Sequence, residues 1–184
     1  MRLGWIVVVS ILLLFVLFFY RKPKLNIQSY NDQIMYSPAS GTIQQIRYRS
    51  DNTIHIAIFL SPFDQHYQVA PMNGTVVNQV YDQNGQFNLA YKLTKAHDNE
   101  KMITLFATKN GIVTITQIAG YFVRRIKSFI KKGKRVTSGE LIGMITFGSR
   151  VDIVIPNSAN FRLNVKEGDK VDAGWTQLGV YHQT

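Results

Sequence analysis

The chain has 184 residues, enough for one domain built on one core. It contains no cysteine, which excludes a disulfide framework and a thiolate metal site, and its four histidines, His55, His66, His97 and His182, are too scattered to give a metal-ligand spacing. The formal charge of +10 asks for an anionic partner, either nucleic acid or lipid.

The first element is Leu3 to Tyr20, LGWIVVVSILLLFVLFFY, eighteen residues without a charge. As a helix it rises about 27 Å, close to the thickness of bilayer hydrocarbon. No small-residue cleavage site separates Phe18-Phe19-Tyr20 from the following RKPK, so the segment reads as an uncleaved transmembrane anchor over residues 1–20, with a basic linker over 21–33. Arg21, Lys22 and Lys24 outweigh Arg2 and the amino terminus, which tilts the rest of a single-pass membrane protein toward the cytoplasm.

From residue 34 onward the apolar period is two. TIHIAIFL (53–60) puts Ile54, Ile56, Ile58 and Leu60 on one face, and similar runs occur at GIVTITQIAG (111–120) and FRLNV (161–165), with Gly, Pro, Asn and Asp between them. The expectation is a mainly β domain over 34–184, with one short helix near 122–132. RRIKSFIKKGKR (124–135) carries seven positive charges, on Arg124, Arg125, Lys127, Lys131, Lys132, Lys134 and Arg135. Beside a membrane such residues attract anionic lipid by ~1 kcal/mol each, and a solvated basic loop is the plainer alternative. GKRVTSGELIG (133–143) and GDKVDAGWTQLG (168–179) share Gly-x-x-Val-x-x-Gly, then an apolar residue and Gly. Two such units resemble the hairpins of small barrel-sandwich, lipoyl-like folds. No lysine sits in an acceptor turn, which weakens a lipoyl-type adaptor reading. TFGSRVDIVIP (146–156) reads as a turn and a strand, but leaves Arg150 and Asp152 at its entry to pair with each other or to contact a lipid phosphate or carboxylate.

The polar segments SPASGTI (37–43), IFLSPFDQHYQVAP (58–71), GQFNLA (85–90), DNEK (98–101), IAGYFVRRI (118–126), GELIGMITFGSRVDIVIP (139–156) and VKEGDKVDAG (165–174) follow a recognisable order. Over about residues 34 to 180 the chain resembles the phosphatidylserine decarboxylase family, in its short prokaryotic-type branch. The resemblance implies a proenzyme that cuts itself at Gly148-Ser149. The Ser149 hydroxyl would attack the preceding carbonyl, the ester would undergo β-elimination, and the dehydroalanine would hydrolyse to a pyruvoyl cofactor. The products would be a β chain, 1–148, and a 36-residue α chain, 149–184, that remain partners. The pyruvoyl ketone would act as the electron sink that decarboxylation needs and that no ordinary side chain provides, turning phosphatidylserine into phosphatidylethanolamine.

The same resemblance marks His66 as acid or base, with Asp64, Asp152 and Ser40 as supporting residues, and Arg124, Arg125 and Arg150 as binders of the lipid head group. It implies phosphatidylserine and anionic membrane lipid as partners, with no nucleic acid and no metal, and leaves homo-oligomerisation open. Three positions depart from the family pattern. Ser40 stands where the family usually has aspartate, Val69 where some members carry a second histidine, and Lys101 where an Asn-Glu-Arg motif has arginine. The loss of a carboxylate at Ser40 slows processing unless Asp64 or Asp152 substitutes, and it raises the alternative of a processing-defective relative that binds anionic lipid without catalysis.

Overall fold

The computed structural model describes residues 2–25, 32–86, 88–90, 98–120, 125–146 and 149–182, with side chains described from Gly4 onward. Within them, α1 (Arg2–Phe19) precedes β1 (Ile34–Tyr36), β2 (Gly41–Tyr48), β3 (Thr53–Leu60), β4 (Tyr67–Val69), β5 (Gly74–Asp82), β6 (Lys101–Thr108) and β7 (Gly111–Ile118). The chain continues through β8 (Ile126–Ser128), β9 (Arg135–Val136), β10 (Leu141–Ile145), β11 (Ser149–Pro156), β12 (Phe161–Leu163), β13 (Lys170–Val171) and β14 (Gln177–Tyr181). The mainly β expectation holds. The short helix expected near 122–132 is instead β8 and a turn, where Ile126 and Lys127 pair with Ile145 and Met144 of β10; residues 121–124 lie outside the described set.

The transmembrane segment is also corrected. No helix among the described residues is long and apolar enough to cross a membrane. The eighteen residues of α1 rise about 27 Å against about 30 Å of hydrocarbon, and the final residue, Phe19, is buried in the β domain. The single-pass anchor and the cytoplasmic orientation inferred from it therefore fall together.

The strands form one large sheet in the order β13-β2-β3-β11-β7-β6-β5-β9 and two small ones, β1-β14-β12 and β4-β10-β8. This order is nearly symmetrical about the central β11–β7 pair, and the sequence shows why. SPASGTI after β1 and APMNGTV after β4 share Pro-x-x-Gly-Thr and then a β-branched residue. Gly41 pairs with Val171 in one half, and Gly74 with Val136 in the other. The glycine echo belongs to the same duplication: the Gly168 amide donates to Ile43 O and the Gly133 amide to Val76 O, both at 2.8 Å. Both glycines have φ +88°, with open space where a Cβ would sit, so backbone conformation rather than crowding selects glycine at the two turns.

Alternation sorts the central strands. Ile54, Ile56, Ile58 and Leu60 of β3 pack with Val113 and Ile115 of β7 and Val151, Ile153 and Ile155 of β11 in the core. Each such side chain contributes roughly 1.5–3 kcal/mol by leaving water. The register gathers polar loops at one rim of the large sheet. Thr42 pairs with Phe59, Ser149 with Leu60, Arg150 with Ile118, and Lys101 with both Ile118 and Asp82. Ser40, the loop after Leu60, Ser149 and the pair Asn99-Glu100 all sit at this rim.

Candidate active site

Ser149 opens β11 opposite Leu60, and its side chain is fully buried, with no hydrogen-bond partner for Oγ among the described residues. Beyond Leu60 the chain turns at Asp64, whose carboxylate accepts the Ser61 amide at 2.7 Å and whose own amide donates to Ser61 O at 3.0 Å. This is ordinary aspartate turn chemistry. It delivers His66, also fully buried, with Nδ1 2.9 Å from the Asp64 carbonyl oxygen. A carbonyl can only accept, so Nδ1 carries the proton and Nε2 is left as the basic nitrogen. Nε2 has no hydrogen-bond partner among the described residues.

Both ends of this loop are tied to the segment that carries Ser149. Leu60 pairs with Ser149 at one end, and at the other His66 O accepts the Ile145 amide at 3.1 Å. His66 O also accepts Gln68 Nε2 at 2.8 Å, and Gln68 Oε1 accepts Gln117 Nε2 at 2.7 Å. The links Leu60–Ser149 and His66–Ile145 thus hold the two groups on one side of the sheet. Burial pushes the His66 imidazole below its ordinary value of 6.5; the Asp64 carbonyl and charge oppose this, and the Arg21 charge adds to it. The histidine is therefore a neutral base at pH 7. Phe19 covers it, with ring centroids 4.2 Å apart and planes inclined at 32°.

Arg150 and Asp152 point to the opposite face of β11 from the core residues. Arg150, 1% exposed, donates through Nε to Asp152 Oδ1 at 2.5 Å and through Nη2 to Oδ2 at 2.6 Å. His55 Nε2 of β3 meets Asp152 Oδ2 at 3.0 Å. Burial alone would raise the Asp152 carboxyl, but the hydrogen bonds from Arg150 and His55 outweigh it and hold the group below its ordinary value. Of the two alternatives for Arg150 and Asp152, the structure has them paired. The Arg150 guanidinium lies inside the domain rather than on a surface open to a head group.

Ser40 is buried and bridges two loops, donating to Gln65 Oε1 and accepting the Ala173 amide, each at 3.0 Å. Its contacts reach the residue next to His66, whereas the orientation of the His66 ring comes from the Asp64 carbonyl. Arg125 is exposed, and its carbonyl accepts the amide and Oγ1 of Thr146 at 3.2 and 3.1 Å, just before Ser149. Gly148 and Arg124 lie outside the described residues. Asn99 Nδ2 donates to Asn88 O at 2.6 Å and Ala119 O at 2.8 Å, and Glu100 accepts the Tyr81 hydroxyl. Burial and Glu100 push that phenol up to about 12. Lys101 lies 3.8 Å from Asp82. Among the described residues, no group of three or more His, Asp or Glu could hold a metal.

Sequence reasoning missed His55, Gln65, Gln68, Gln117 and Phe19. For His55 the signal was present, since a histidine on the face of β3 opposite the isoleucines matches an arginine and an aspartate on the corresponding face of β11. The glutamines and Phe19 have no such pattern, because their partners come from distant elements.

The geometry can be set beside known proteins. The family model described as phosphatidylserine decarboxylase matches residues 12–179. This chain belongs to the phosphatidylserine decarboxylase family. Relatives named phosphatidylserine decarboxylase proenzyme include one from Chlorobaculum parvum, 38% identical over 176 residues, covering 93% of this chain and 80% of the relative. Another, from Chlorobium phaeobacteroides strain BS1, is 35% identical over 173 residues, covering 91% and 79%. A third, from Streptomyces coelicolor, is 36% identical over 162 residues, covering 88% and 71%. The family match spans both halves of the duplication and the whole rim on which Ser149 and His66 sit.

Proposed function

We propose that the chain is the proenzyme of a phosphatidylserine decarboxylase, and that Ser149 is the residue that becomes its pyruvoyl group. The observation that carries this reading is the pair of buried groups without partners, Ser149 Oγ and His66 Nε2, at the rim shared by β3 and β11. A buried hydroxyl and a buried imidazole nitrogen left unsatisfied cost stability, and such a cost is retained where chemistry needs it.

His66 Nε2 takes the proton from Ser149 Oγ as the oxygen attacks the carbonyl carbon of residue 148 and hands it to the departing nitrogen, exchanging the amide for an ester and freeing the Ser149 amine. Loss of the Ser149 α-proton then breaks the Cβ–O bond, which leaves a carboxylate on residue 148 and dehydroalanine at 149. Water converts that residue to a ketone and releases ammonia. The residues fit the group: β11 anchors its backbone, and Ser149 is fully buried. Once formed, the ketone supplies an electron sink for loss of carbon dioxide. His66, which can take up a proton from water in each turnover, is the residue suited to return a proton to the substrate carbon. Arg125 and Arg124 are the cations suited to the phosphate, since Arg150 is committed to Asp152.

Ser40 does not block this route, because the Asp64 carbonyl fixes the His66 tautomer without a carboxylate at position 40. Intact-mass measurement of the denatured wild type and of Ser149→Ala tests the reading. The expected result is a 36-residue fragment from Ser149 lacking ammonia, absent in the variant, together with carbon dioxide release from phosphatidylserine. An uncut wild-type chain with no decarboxylation would overturn it and favour the relative that binds anionic lipid without catalysis.

A further inference from the structure

Phe19 differs from the rest of α1. Trp5 is 69% exposed, Leu14 65% and Leu17 63%, yet Phe19 is 1% exposed and lies on the His66 ring. A latch holds it there. Arg21 donates through Nη2 to Phe63 O at 2.7 Å and through Nη1 to Phe18 O at 2.8 Å, clipping the end of α1 to the loop that delivers His66. The Arg21 guanidinium also lies 3.8 Å above the Phe18 ring. Phe63, at the latch, is itself 69% exposed.

A phospholipid makes two opposite demands on such a site. Its serine head must reach His66 and residue 149, while its acyl chains need an apolar surface outside the polar rim. The exposed apolar face of α1 starts where Phe19 closes the site. We propose that Phe19 is a substrate-operated gate, which leaves His66 when acyl chains pack against α1 and so restricts the site to serine heads carried on lipid. This inference rests on the decarboxylase reading for its substrate, but the closed state it describes exists before any cleavage.

Two variants test it, Phe19→Ala, which removes the plate, and Arg21→Ala, which opens the latch and leaves the core untouched. In the uncut Ser149→Ala background, carbethoxylation of His66 by diethyl pyrocarbonate is followed by peptide mass mapping, with exposed His182 as the internal reference. Both variants are expected to speed modification of His66 relative to His182 by about tenfold or more, as for a site whose reactivity is set by local opening. In processed enzyme, both are expected to raise kcat/KM for monomeric dihexanoyl phosphatidylserine relative to long-chain phosphatidylserine in vesicles. Unchanged His66 reactivity, or equal changes with both substrates, would overturn the gate. A wild type that fails to decarboxylate either substrate would sink the functional reading instead, and the modification rates would still decide whether Phe19 closes His66.

Discussion

Ser40 and Asn73 occupy equivalent places in the two halves of the large sheet: Ser40 Oγ accepts the Ala173 amide at 3.0 Å, and Asn73 Oδ1 accepts the Ser138 amide at 2.8 Å. Each directly precedes a Gly-Thr strand start and caps the turn that follows the valine paired with that glycine, Val171 or Val136. The position thus has a structural duty that is independent of charge, which a hydroxyl, an amide or a carboxylate can each perform. Ser40→Ala should therefore cost about 1–3 kcal/mol, because it leaves the buried Ala173 amide without its acceptor. Urea melts in the Ser149→Ala background measure that loss. Cleavage of the folded Ser40→Ala chain should continue at close to the native rate, and a stalled time course would instead make Ser40 the group that orients His66.

The lowered pKa of His66 gives a signed pH dependence. Between its folded value and 6.5 the unfolded chain binds more protons than the folded one, so stability rises with pH across that window and levels off above it. Melts of the uncut protein from about pH 5 to about pH 7 should show this slope, and His66→Gln should remove it. With His66 as the proposed base of self-cleavage, the cleavage rate should hold as pH falls through 6.5 and decline only lower.

The Arg150–Asp152–His55 cluster predicts an unequal pair of variants. Asp152→Asn leaves the Arg150 guanidinium buried without its counter-charge and should cost about 3–5 kcal/mol. His55→Gln removes one neutral-capable partner and should cost less. Because the Asp152 carboxyl is held below its ordinary value of 3.8, its contribution is fully present above that pH and is lost as the pH falls from there toward the folded value. Acid titration of stability should show this decline in the native chain and not in Asp152→Asn.

Gly143 lies in β10 beneath the amide chain that holds the His66 backbone. A Cβ there would come within 2.7 Å of Gln117 Nε2 and 2.8 Å of Lys127 O. The backbone oxygen cannot move aside cheaply. Gly143→Ala should destabilise the domain by at least about 1 kcal/mol and slow cleavage further by breaking the Gln117–Gln68 link, which a time course at constant folded fraction would detect.

The β architecture was legible in the sequence because alternation on β3, β7 and β11 is nearly unbroken, and because paired glycines mark the turns. The motif around Ser149 and His66 was legible as a family pattern. Other features were hidden for physical reasons. The Pro-x-x-Gly-Thr duplication is only a few residues long. The carbonyl that orients His66 has no side-chain signature, since any residue at position 64 supplies one. The membrane-spanning reading failed because hydropathy counts Phe19 with its neighbours, although Phe19 is the residue that folds back onto the domain.

The place of β11 in the sheet has a consequence for the fate of the cut molecule. This strand lies between β3 and β7 in the interior of the large sheet, β13 joins the same sheet at β2, and β12 and β14 complete a small sheet with β1. A break before Ser149 would leave two polypeptides interlaced through both sheets, with no surface along which they could part. The uncut chain searches for its fold as a single molecule. Once cut and unfolded, it would face a bimolecular reassembly that depends on concentration, and would have to restore a central strand without the connection that first placed it. Longevity of the mature form would then depend on how slowly it opens rather than on how readily it refolds.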